Sequence, residues 1–273
     1  MTSAATRPTA EVGVIGGSGL YDLLPGADEV KVDTPYGQPS DPLVLGEVGG
    51  RRVAFLPRHG GDHRYPPHRI NYRANLWALR SVGVRQVLAP CAVGSLRPDL
   101  GPGTFVLPDQ VVDRTSGRVQ TYFDTDAVHV PFADPYCPAG RTAVRRAAAE
   151  LGIGLVDGGT LAVVEGPRFS SRAESRWYGR QGWSVVNMTG QPEATLAREL
   201  ALCYTAVALV TDVDAGIDAE SAVVLDEVFR VFAANLQVLR RLLFAAVPAL
   251  PTARLCPCRR AHDGISVPIA LPG

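Results

Sequence analysis

The stretch Val12-Gly-Val-Ile-Gly-Gly-Ser-Gly19 decides the fold class, because an apolar run passes directly into a glycine-rich turn. Its first four residues predict a short buried strand, and its last four direct backbone N–H groups at whatever lies above them. Together with the Ser18 hydroxyl, the turn can hold a phosphate-sized anion, although a plain tight turn is equally compatible with it. The dinucleotide-binding fingerprint fails here, since its third glycine would fall at Asp22.

Outward from this turn, predicted strands and helices alternate along the chain. The clearest helix carries one apolar stripe that ends at Pro248, and Gly49-Gly50 marks an early hairpin. This alternation predicts an α/β fold, a mixed β-sheet flanked by helices. We expect a disordered N-terminus over residues 1–11, one domain over 12–248 and an irregular, proline-rich C-terminal tail over 249–273. The stripe is formed by Leu225, Val228, Phe229, Phe232, Leu236, Leu239 and Leu243.

Composition excludes several classes of function. Lys and Arg total 27, as do Asp and Glu, and this neutrality argues against a nucleic-acid partner. Lys31 is the only lysine and does not follow glycine, which excludes a P-loop and disfavours imine chemistry. A hydrophobic content of 46% excludes a disordered chain.

The sequence also predicts a cytoplasmic protein. Residues 1–11 lack the apolar segment of a signal peptide, and the longest apolar run, residues 200–211, is too short to span a bilayer. Five scattered cysteines do not form the pattern of a disulfide framework. We therefore expect no membrane partner.

Polar side chains follow several of the predicted strands. Arg58 and His59 together offer hydrogen-bond donors for an anion, and Asn187 and Thr189 flank Met188 at another strand end. Each group can equally be explained without a ligand, as a residue of a sheet edge or of a turn. A metal site at the three histidines His59, His63 and His68 is disfavoured, because Gly60-Gly61 and Pro66-Pro67 break the helix it would need.

Asp212 and Asp214 follow the most apolar run of the chain. Two carboxylates at the end of a buried strand are costly unless they are used or paired. One of them can keep its proton at neutral pH and act as a general acid, with helix capping or a hard-cation site as the alternatives. The strand ends thus predict a site with an anion at one end and a proton donor at the other.

Six ordered motifs resemble the trimeric purine nucleoside phosphorylase family, and within it the branch that acts on 5′-methylthioadenosine. The motifs are Val14-Ile-Gly-Gly-Ser-Gly-Leu20, Pro57-Arg-His-Gly60, Ala92-Val-Gly-Ser95, Asp109-Gln-Val-Val-Asp-Arg-Thr115, Glu165-Gly-Pro-Arg-Phe-Ser-Ser-Arg-Ala-Glu174 and Val186-Asn-Met-Thr189. The resemblance runs from about residue 12 to residue 247. It implies a homotrimer with active sites at subunit interfaces, and phosphorolysis of the nucleoside to adenine and 5-methylthioribose 1-phosphate in purine and methionine salvage. It implies no metal and no organic cofactor, since inorganic phosphate is a co-substrate.

The resemblance also implies roles for individual residues. Asp212 would donate to N7 of the purine, Asp214 would read its 6-amino group, and His129 would reach in from a neighbouring subunit. The remaining assignments are phosphate contacts at Ser18, Arg58, His59, Ala92 and Thr189, ribose contacts at Asn187 and Met188, base contacts at Phe169 and Ser170, and a 5′-substituent pocket at Leu225, Val228 and Phe229.

Some positions depart from the family pattern. Cys91 stands where a threonine is usual, Phe229 is bulkier than the usual aliphatic residue, and Gly190 after Thr189 is expected to loosen that loop. The alternatives are a phosphorylase of 6-oxopurine nucleosides, whose branch has asparagine at the position of Asp212, and a catalytically silent nucleoside-binding or phosphate-binding protein.

Cys256-Pro-Cys258 and His262 lie in the predicted tail. One C-x-C pair and one histidine fall short of a four-ligand zinc site, and a disulfide within the pair would be strained. An ordinary tail is the favoured interpretation, with a disulfide or a metal site left open.

Overall fold

The computed structural model describes residues 9–17, 20, 24, 27–217 and 222–272. Most of the N-terminal segment predicted to be disordered lies outside the described residues, and so does Ser18. Within the described residues the chain forms eleven strands, five α-helices and two 3-10 helices.

The strands are β1 (Val12–Gly16), β2 (Asp28–Val30), β3 (Leu43–Val48), β4 (Arg51–Pro57), β5 (Gln86–Ser95), β6 (Phe105–Leu107), β7 (Gln110–Arg114), β8 (Leu155–Asp157), β9 (Thr160–Val164), β10 (Val185–Asn187) and β11 (Cys203–Val213). The α-helices are α1 (Tyr72–Ser81), α2 (Pro138–Glu150), α3 (Arg172–Arg180), α4 (Gly190–Glu199) and α5 (Leu225–Ala249), and the 3-10 helices are Pro67–Arg69 and Pro257–Arg260.

All the described strands join one mixed sheet, which confirms the predicted α/β class. Its path runs β2-β3-β4-β1-β5-β10-β9-β7, with β11 paired to β5 and β6, and β6 paired to β8. In the centre of the sheet, β1 runs parallel to both β4 and β5, and β11 runs parallel to β5. β10 runs antiparallel to β5. The carboxyl ends of β1, β4, β5 and β11 therefore lie at the same edge of the sheet.

The central strand β5 changes partner along one of its sides. It pairs with β1 as far as Leu88 and with β10 from Gly94 onward, while β11 follows its other side from Gln86 to Ser95. On this side, β1 has left β5 and β10 has not yet joined it at Cys91 and Ala92, so a gap opens between β1 and β10. Ligands of α/β proteins bind where strands part in this way, at the carboxyl ends.

The core is apolar on both faces of the central sheet. All five residues of β1 are buried, as predicted from its continuous apolar run. One layer packs α1 and α4 against the sheet, and the other packs α2 and α5 against it.

α5 matches the predicted apolar stripe over Leu225–Ala249, and Pro248 lies within its last turn. By length and composition it could cross a membrane, but its buried residues Leu239, Leu242 and Leu243 belong to the same core as α2 and β1. We therefore describe α5 as a core helix of the domain.

The segment from 250 to 272 contains no strand among its described residues, and it packs closely on the domain. Val267, Ile269 and Leu271 contact the core beside α1. Gln86 Nε2 donates to the Pro251 carbonyl at 3.0 Å, and Arg80 Nε donates to the Pro272 carbonyl at 3.1 Å.

Candidate active site

A cavity of about 540 Å³ opens at the carboxyl ends of the central strands. Thirteen of the predicted site residues line it: Arg58, His59, Ala92, Phe169, Ser170, Asn187, Met188, Thr189, Asp212, Asp214, Leu225, Val228 and Phe229. His129 is exposed and is not among the described residues that line the cavity. Ser18 lies outside the described residues, although Gly17 beside it contributes to the wall.

Arg58 is buried beneath one end of the cavity. It directly follows β4, and its guanidinium donates to both carboxylate oxygens of Glu193, at 2.8 and 2.9 Å. Two further donations reach the carbonyls of Pro90, at 3.0 Å, and Ile15, at 2.9 Å. Tyr204 adds a hydroxyl donation to Glu193 at 2.7 Å.

This network changes what Arg58 can offer an anion. A guanidinium has five N–H donors, and four of them are used here, so one N–H on Nη1 is left for an anion. Burial acts to lower the pKa of Arg58, but Glu193 outweighs it and raises that pKa, which keeps the guanidinium charged. Glu193 was missed because it lies far away in sequence and no motif marks it.

His59 presents an acceptor to the cavity in place of the donor expected from the sequence. Its Nδ1 bonds to the Tyr65 carbonyl at 2.9 Å and must carry the proton there, since a carbonyl only accepts. Burial lowers the pKa of His59 to about 4, so the ring is neutral and Nε2 holds a lone pair. The ring stacks on His63, which also lines the cavity, with centroids 4.5 Å apart, whereas His68 is exposed in a 3-10 helix.

The segment from Asn187 to Gly190 forms the floor beside Arg58. Asn187 Oδ1 accepts from the backbone N–H groups of Thr189 and Gly190, at 3.3 and 3.2 Å. Its Nδ2 is buried with no hydrogen-bond partner among the described residues, next to the Cys91 thiol. The Thr189 hydroxyl makes no capping bond to α4. Both groups therefore remain available to a ligand in the cavity.

Gly190 does not loosen this loop, contrary to the expectation from sequence. It is buried at the start of α4, and a Cβ there would lie 2.8 Å from the Leu161 side chain. Glycine is required because α4 packs closely against β9.

Arg118 holds the same segment from the far side. Its buried guanidinium donates to the carbonyls of Met188, at 2.9 Å, and Gln191, at 2.7 Å, and pairs with Glu165 at 3.2 Å. A further N–H donates to the Glu165 carbonyl at 2.6 Å. Arg118 thus ties together two of the motifs noted in the sequence, and its own position lies outside both.

A bulge in β11 turns Asp212 toward the cavity. Val210 pairs with Val93 and Asp212 with Gly94, so Thr211 is an extra residue in the ladder. The strand therefore continues through Asp212 to Val213 and ends just before Asp214, instead of ending before both carboxylates as the sequence had suggested. A Cβ on Gly94 would lie 3.0 Å from Asp212 Oδ1, so glycine is needed to make room for the carboxyl.

The environment of Asp212 favours its protonated form. Burial raises the pKa of Asp212 to about 6, Asp214 adds to the rise, and a hydrogen bond from the Thr211 hydroxyl at 2.8 Å opposes it. A carboxyl with this pKa can give up a proton near neutral pH.

Asp214 is more strongly engaged by the protein. Its Oδ2 accepts from the Ser175 hydroxyl at 2.5 Å, and Ser170 also donates to it. Burial still raises its pKa. Because Ser175 lies on the buried face of α3, its bond to Asp214 joins α3 to the cavity wall.

The opposite end of the cavity is apolar. Leu225, Val228 and Phe229 come from the first turns of α5, where Leu225 is 53% and Phe229 42% exposed. The Phe229 ring meets His63 edge to face at 6.3 Å. Exposed apolar side chains at the mouth of a cavity fit either an apolar ligand group or a covering subunit.

The cavity therefore has a polar end at Arg58 and Thr189, a carboxyl of raised pKa at Asp212 and an apolar end at α5. Cys91 between them stays a thiol, because burial raises its pKa to about 11. This arrangement suits a ligand with an anionic part, a basic leaving atom and an apolar substituent.

Comparison with known proteins gives one consistent family. The sequence profile described as the phosphorylase superfamily matches residues 11–248. A purine nucleoside phosphorylase of Streptomyces coelicolor is 62% identical over 98% of this chain and all of its own length. An S-methyl-5′-thioadenosine phosphorylase of Mycolicibacterium smegmatis is 58% identical over 96% of this chain and 99% of its own. A solved methylthioadenosine phosphorylase from an antarctic soil metagenomic library superposes with a TM-score of 0.89 at 40% identity, covering 96% of this chain and 93% of that one.

Proposed function

The chain belongs to the phosphorylase superfamily, and from this premise we propose that it is an S-methyl-5′-thioadenosine phosphorylase. It cleaves 5′-methylthioadenosine with inorganic phosphate to adenine and 5-methylthioribose 1-phosphate. The observation that carries the proposal is a carboxyl of raised pKa, Asp212, in one cavity with an arginine-based anion site and an apolar end.

The mechanism follows from charge. Breaking the N-glycosidic bond leaves electron density on the purine and positive charge on the sugar. Asp212 donates a proton to N7 and neutralises the leaving base. Phosphate, held by the free N–H of Arg58, by Thr189 and by the amide of Ala92, stabilises the cationic sugar and then attacks C1′.

His59 has a specific part in this scheme. Its neutral ring accepts a hydrogen bond at Nε2, so it pairs with the protonated oxygen of the phosphate. Met188 packs beneath the ribose, and Asn187 Nδ2 finds in the ligand the partner that the described protein atoms do not give it.

The base and the 5′ group are bound by separate walls. Phe169 and Ser170 face the purine, and Asp214 accepts from its 6-amino group, which suits adenine because a carboxylate only accepts. The apolar face of Leu225, Val228 and Phe229 takes the methylthio group, whose thioether is itself apolar.

Assembly and location complete the proposal. We infer a homotrimer in which His129 of a neighbouring copy closes the mouth, supported by its exposure here and by the exposed Leu225 and Phe229. We also infer a cytoplasmic enzyme whose chemistry uses phosphate and the nucleoside alone, with no metal or organic cofactor in the reaction.

One assay tests the activity. Release of free base is followed by chromatography with methylthioadenosine, adenosine or inosine as substrate, each with and without phosphate. We expect phosphate-dependent adenine release from methylthioadenosine with the highest kcat/KM. Light scattering of the eluted protein gives the oligomeric state.

The second candidate is a 6-oxopurine nucleoside phosphorylase, favoured by the name of the Streptomyces coelicolor relative, a purine nucleoside phosphorylase. A higher kcat/KM for inosine would support this candidate and overturn ours. Absence of base release from all three nucleosides would leave a binding protein.

A further inference from the structure

Four cysteines from three distant parts of the chain meet at one point beside the start of α2. They are Cys137, Cys203, Cys256 and Cys258, and every pair of their Sγ atoms lies within 4.8 Å. We call these four residues the cysteine cluster. All four are buried, with exposures of 1%, 3%, 8% and 2% in that order.

We propose that the cysteine cluster binds one zinc ion as a structural site. Zinc takes four thiolates in a tetrahedron with Zn–S bonds of about 2.3 Å, which sets the sulfur atoms about 3.8 Å apart. A tetrahedron is the arrangement in which every pair of four atoms is equally near. The limit of 4.8 Å over every pair therefore fits this geometry.

Two disulfides explain the cluster less well. They require only two short sulfur–sulfur distances, one within each bonded pair, and place no limit on the others. Here no two cysteine sulfurs lie at disulfide bonding distance, and the Cys203 and Cys256 sulfurs are 3.3 Å apart. A bond between Cys256 and Cys258 would also have to close across a single proline.

The surroundings suit a site of negative charge. Four thiolates around Zn²⁺ carry a net charge of −2. The positively charged Arg254 guanidinium lies close enough to Cys203 to attract a thiolate there. Arg254 Nη2 donates to the Ala201 carbonyl at 2.5 Å, while its buried Nε has no hydrogen-bond partner among the described residues. Such outer contacts orient and stabilise metal-bound thiolates.

The role of the site is to fasten the segment from 250 to 272 to the domain. Cys137 caps the start of α2, Cys203 begins β11, and Cys256 and Cys258 flank the start of the 3-10 helix Pro257–Arg260. His262, considered with the C-x-C pair from sequence, bonds to the Glu199 carbonyl at 2.8 Å and is not part of the cluster.

The proposed site is separate from the reaction. Asp212 lies nine positions beyond Cys203 along β11, which corresponds to about 30 Å along an extended strand. Four protein ligands also leave no open position for a substrate, as expected of a structural zinc. The proposal therefore does not depend on the proposed activity.

The test begins with the metal itself. The full chain is purified without a metal-affinity tag from cells grown with zinc, and its metals are measured by mass spectrometry of the elements. We expect one zinc per chain, released by a mercurial that titrates four thiols. Replacement by Co²⁺ should give the absorption bands of tetrahedral cobalt bound to thiolates.

Matched variants locate the site. Cys256→Ser and Cys203→Ser should lose most of the zinc and unfold at lower temperature, whereas Cys91→Ser, which changes the cysteine outside the cluster, should keep one zinc per chain. Because a cluster variant could fail to fold, the wild-type zinc content and cobalt spectrum decide the question independently.

Several results would overturn the proposal. Metal-free protein with five reactive thiols after denaturation would show an empty thiol cluster. Metal-free protein with one reactive thiol would show two disulfides. One iron per chain in place of zinc would refute the assignment to zinc, and full zinc content in Cys256→Ser would refute the ligand set.

Discussion

The Arg58 guanidinium donates to both carboxylate oxygens of Glu193, at 2.8 and 2.9 Å, and both side chains are almost completely buried. The pair is electrically neutral as a unit. In the proposed reaction Arg58 therefore acts on phosphate through one directed N–H and a fixed position, and contributes less as an isolated positive charge.

Removing the charge of Glu193 tests this pairing. Glu193→Gln leaves a buried guanidinium without its counter-charge, and we expect a loss of about 3–5 kcal/mol in the free energy of unfolding. Urea denaturation measures it, with the exposed Glu47→Gln as a control expected to stay within about 0.5 kcal/mol. An unchanged midpoint for Glu193→Gln would show that the pair is dispensable.

The acid role of Asp212 predicts a pH profile. With a pKa of about 6, the protonated carboxyl becomes scarcer as the pH rises above that value, so kcat/KM for methylthioadenosine should fall on the alkaline side. Asp212→Asn should lower turnover by about 100-fold or more and abolish this limb. The exposed Asp28→Asn is the control. A variant at Asp212 that kept most of its activity would contradict the assignment.

The same carboxyl predicts how stability depends on pH. The folded-state pKa of Asp212 lies above the unfolded value of 3.8, so the folded protein binds the proton more tightly. Its contribution is full below about pH 4 and is lost as the pH rises through 6, by about 2–3 kcal/mol at most. Unfolding of ligand-free wild type and Asp212→Asn between pH 4 and 8 measures the difference. Parallel curves would show that Asp212 titrates normally.

Arg118 is predicted to position the ribose-binding segment. Arg118→Lys retains the charge but cannot reach the carbonyls of Met188, Gln191 and Glu165 together. We expect the KM for the nucleoside to rise about tenfold or more, with a smaller change in the KM for phosphate. Arg146→Lys, on the exposed face of α2, should leave both constants unchanged. A tenfold fall in kcat with both KM values unchanged would instead indicate that Arg118 contacts the reacting atoms.

Phe229 is predicted to select the 5′ substituent. Phe229→Ala removes apolar contact from the methylthio group, so kcat/KM for methylthioadenosine should fall about 10-fold or more, while that for adenosine changes less. The KM for phosphate serves as the internal control. An equal effect on both nucleosides would place Phe229 outside the 5′ pocket.

Much of this architecture was predictable from sequence. Continuous apolar runs identified the buried strands β1 and β11, and the leucine stripe identified α5, because burial on both faces or on one helix face leaves a local pattern. Polar residues at strand ends indicated Arg58, His59, Asn187, Thr189, Asp212 and Asp214, and the family resemblance indicated the other predicted residues of the cavity lining. The bulge at Thr211 was not predictable, since a single extra residue in a ladder leaves no mark in the composition of the strand.

Contacts between distant segments accounted for what the sequence did not reveal. Glu193 and Arg118 look like ordinary charged residues until folding places them against Arg58 and Met188. The cysteine cluster is a sharper case, because Cys256 and Cys258 form only half a metal motif. Their partners Cys137 and Cys203 stand far upstream, outside any spacing rule.

The wide spacing of the cluster has a consequence for the order of events during synthesis. Cys137 and Cys203 leave the ribosome well before Cys256 and Cys258, so β5 and β11 can pair while half of the ligands are still unmade. The four sulfur ligands can therefore come together only after the residues of the cavity lining have been synthesised. Capture of the ion therefore comes last in folding, and a polypeptide interrupted before residue 258 would contain the residues of the cavity lining but not the full ligand set of the proposed zinc site.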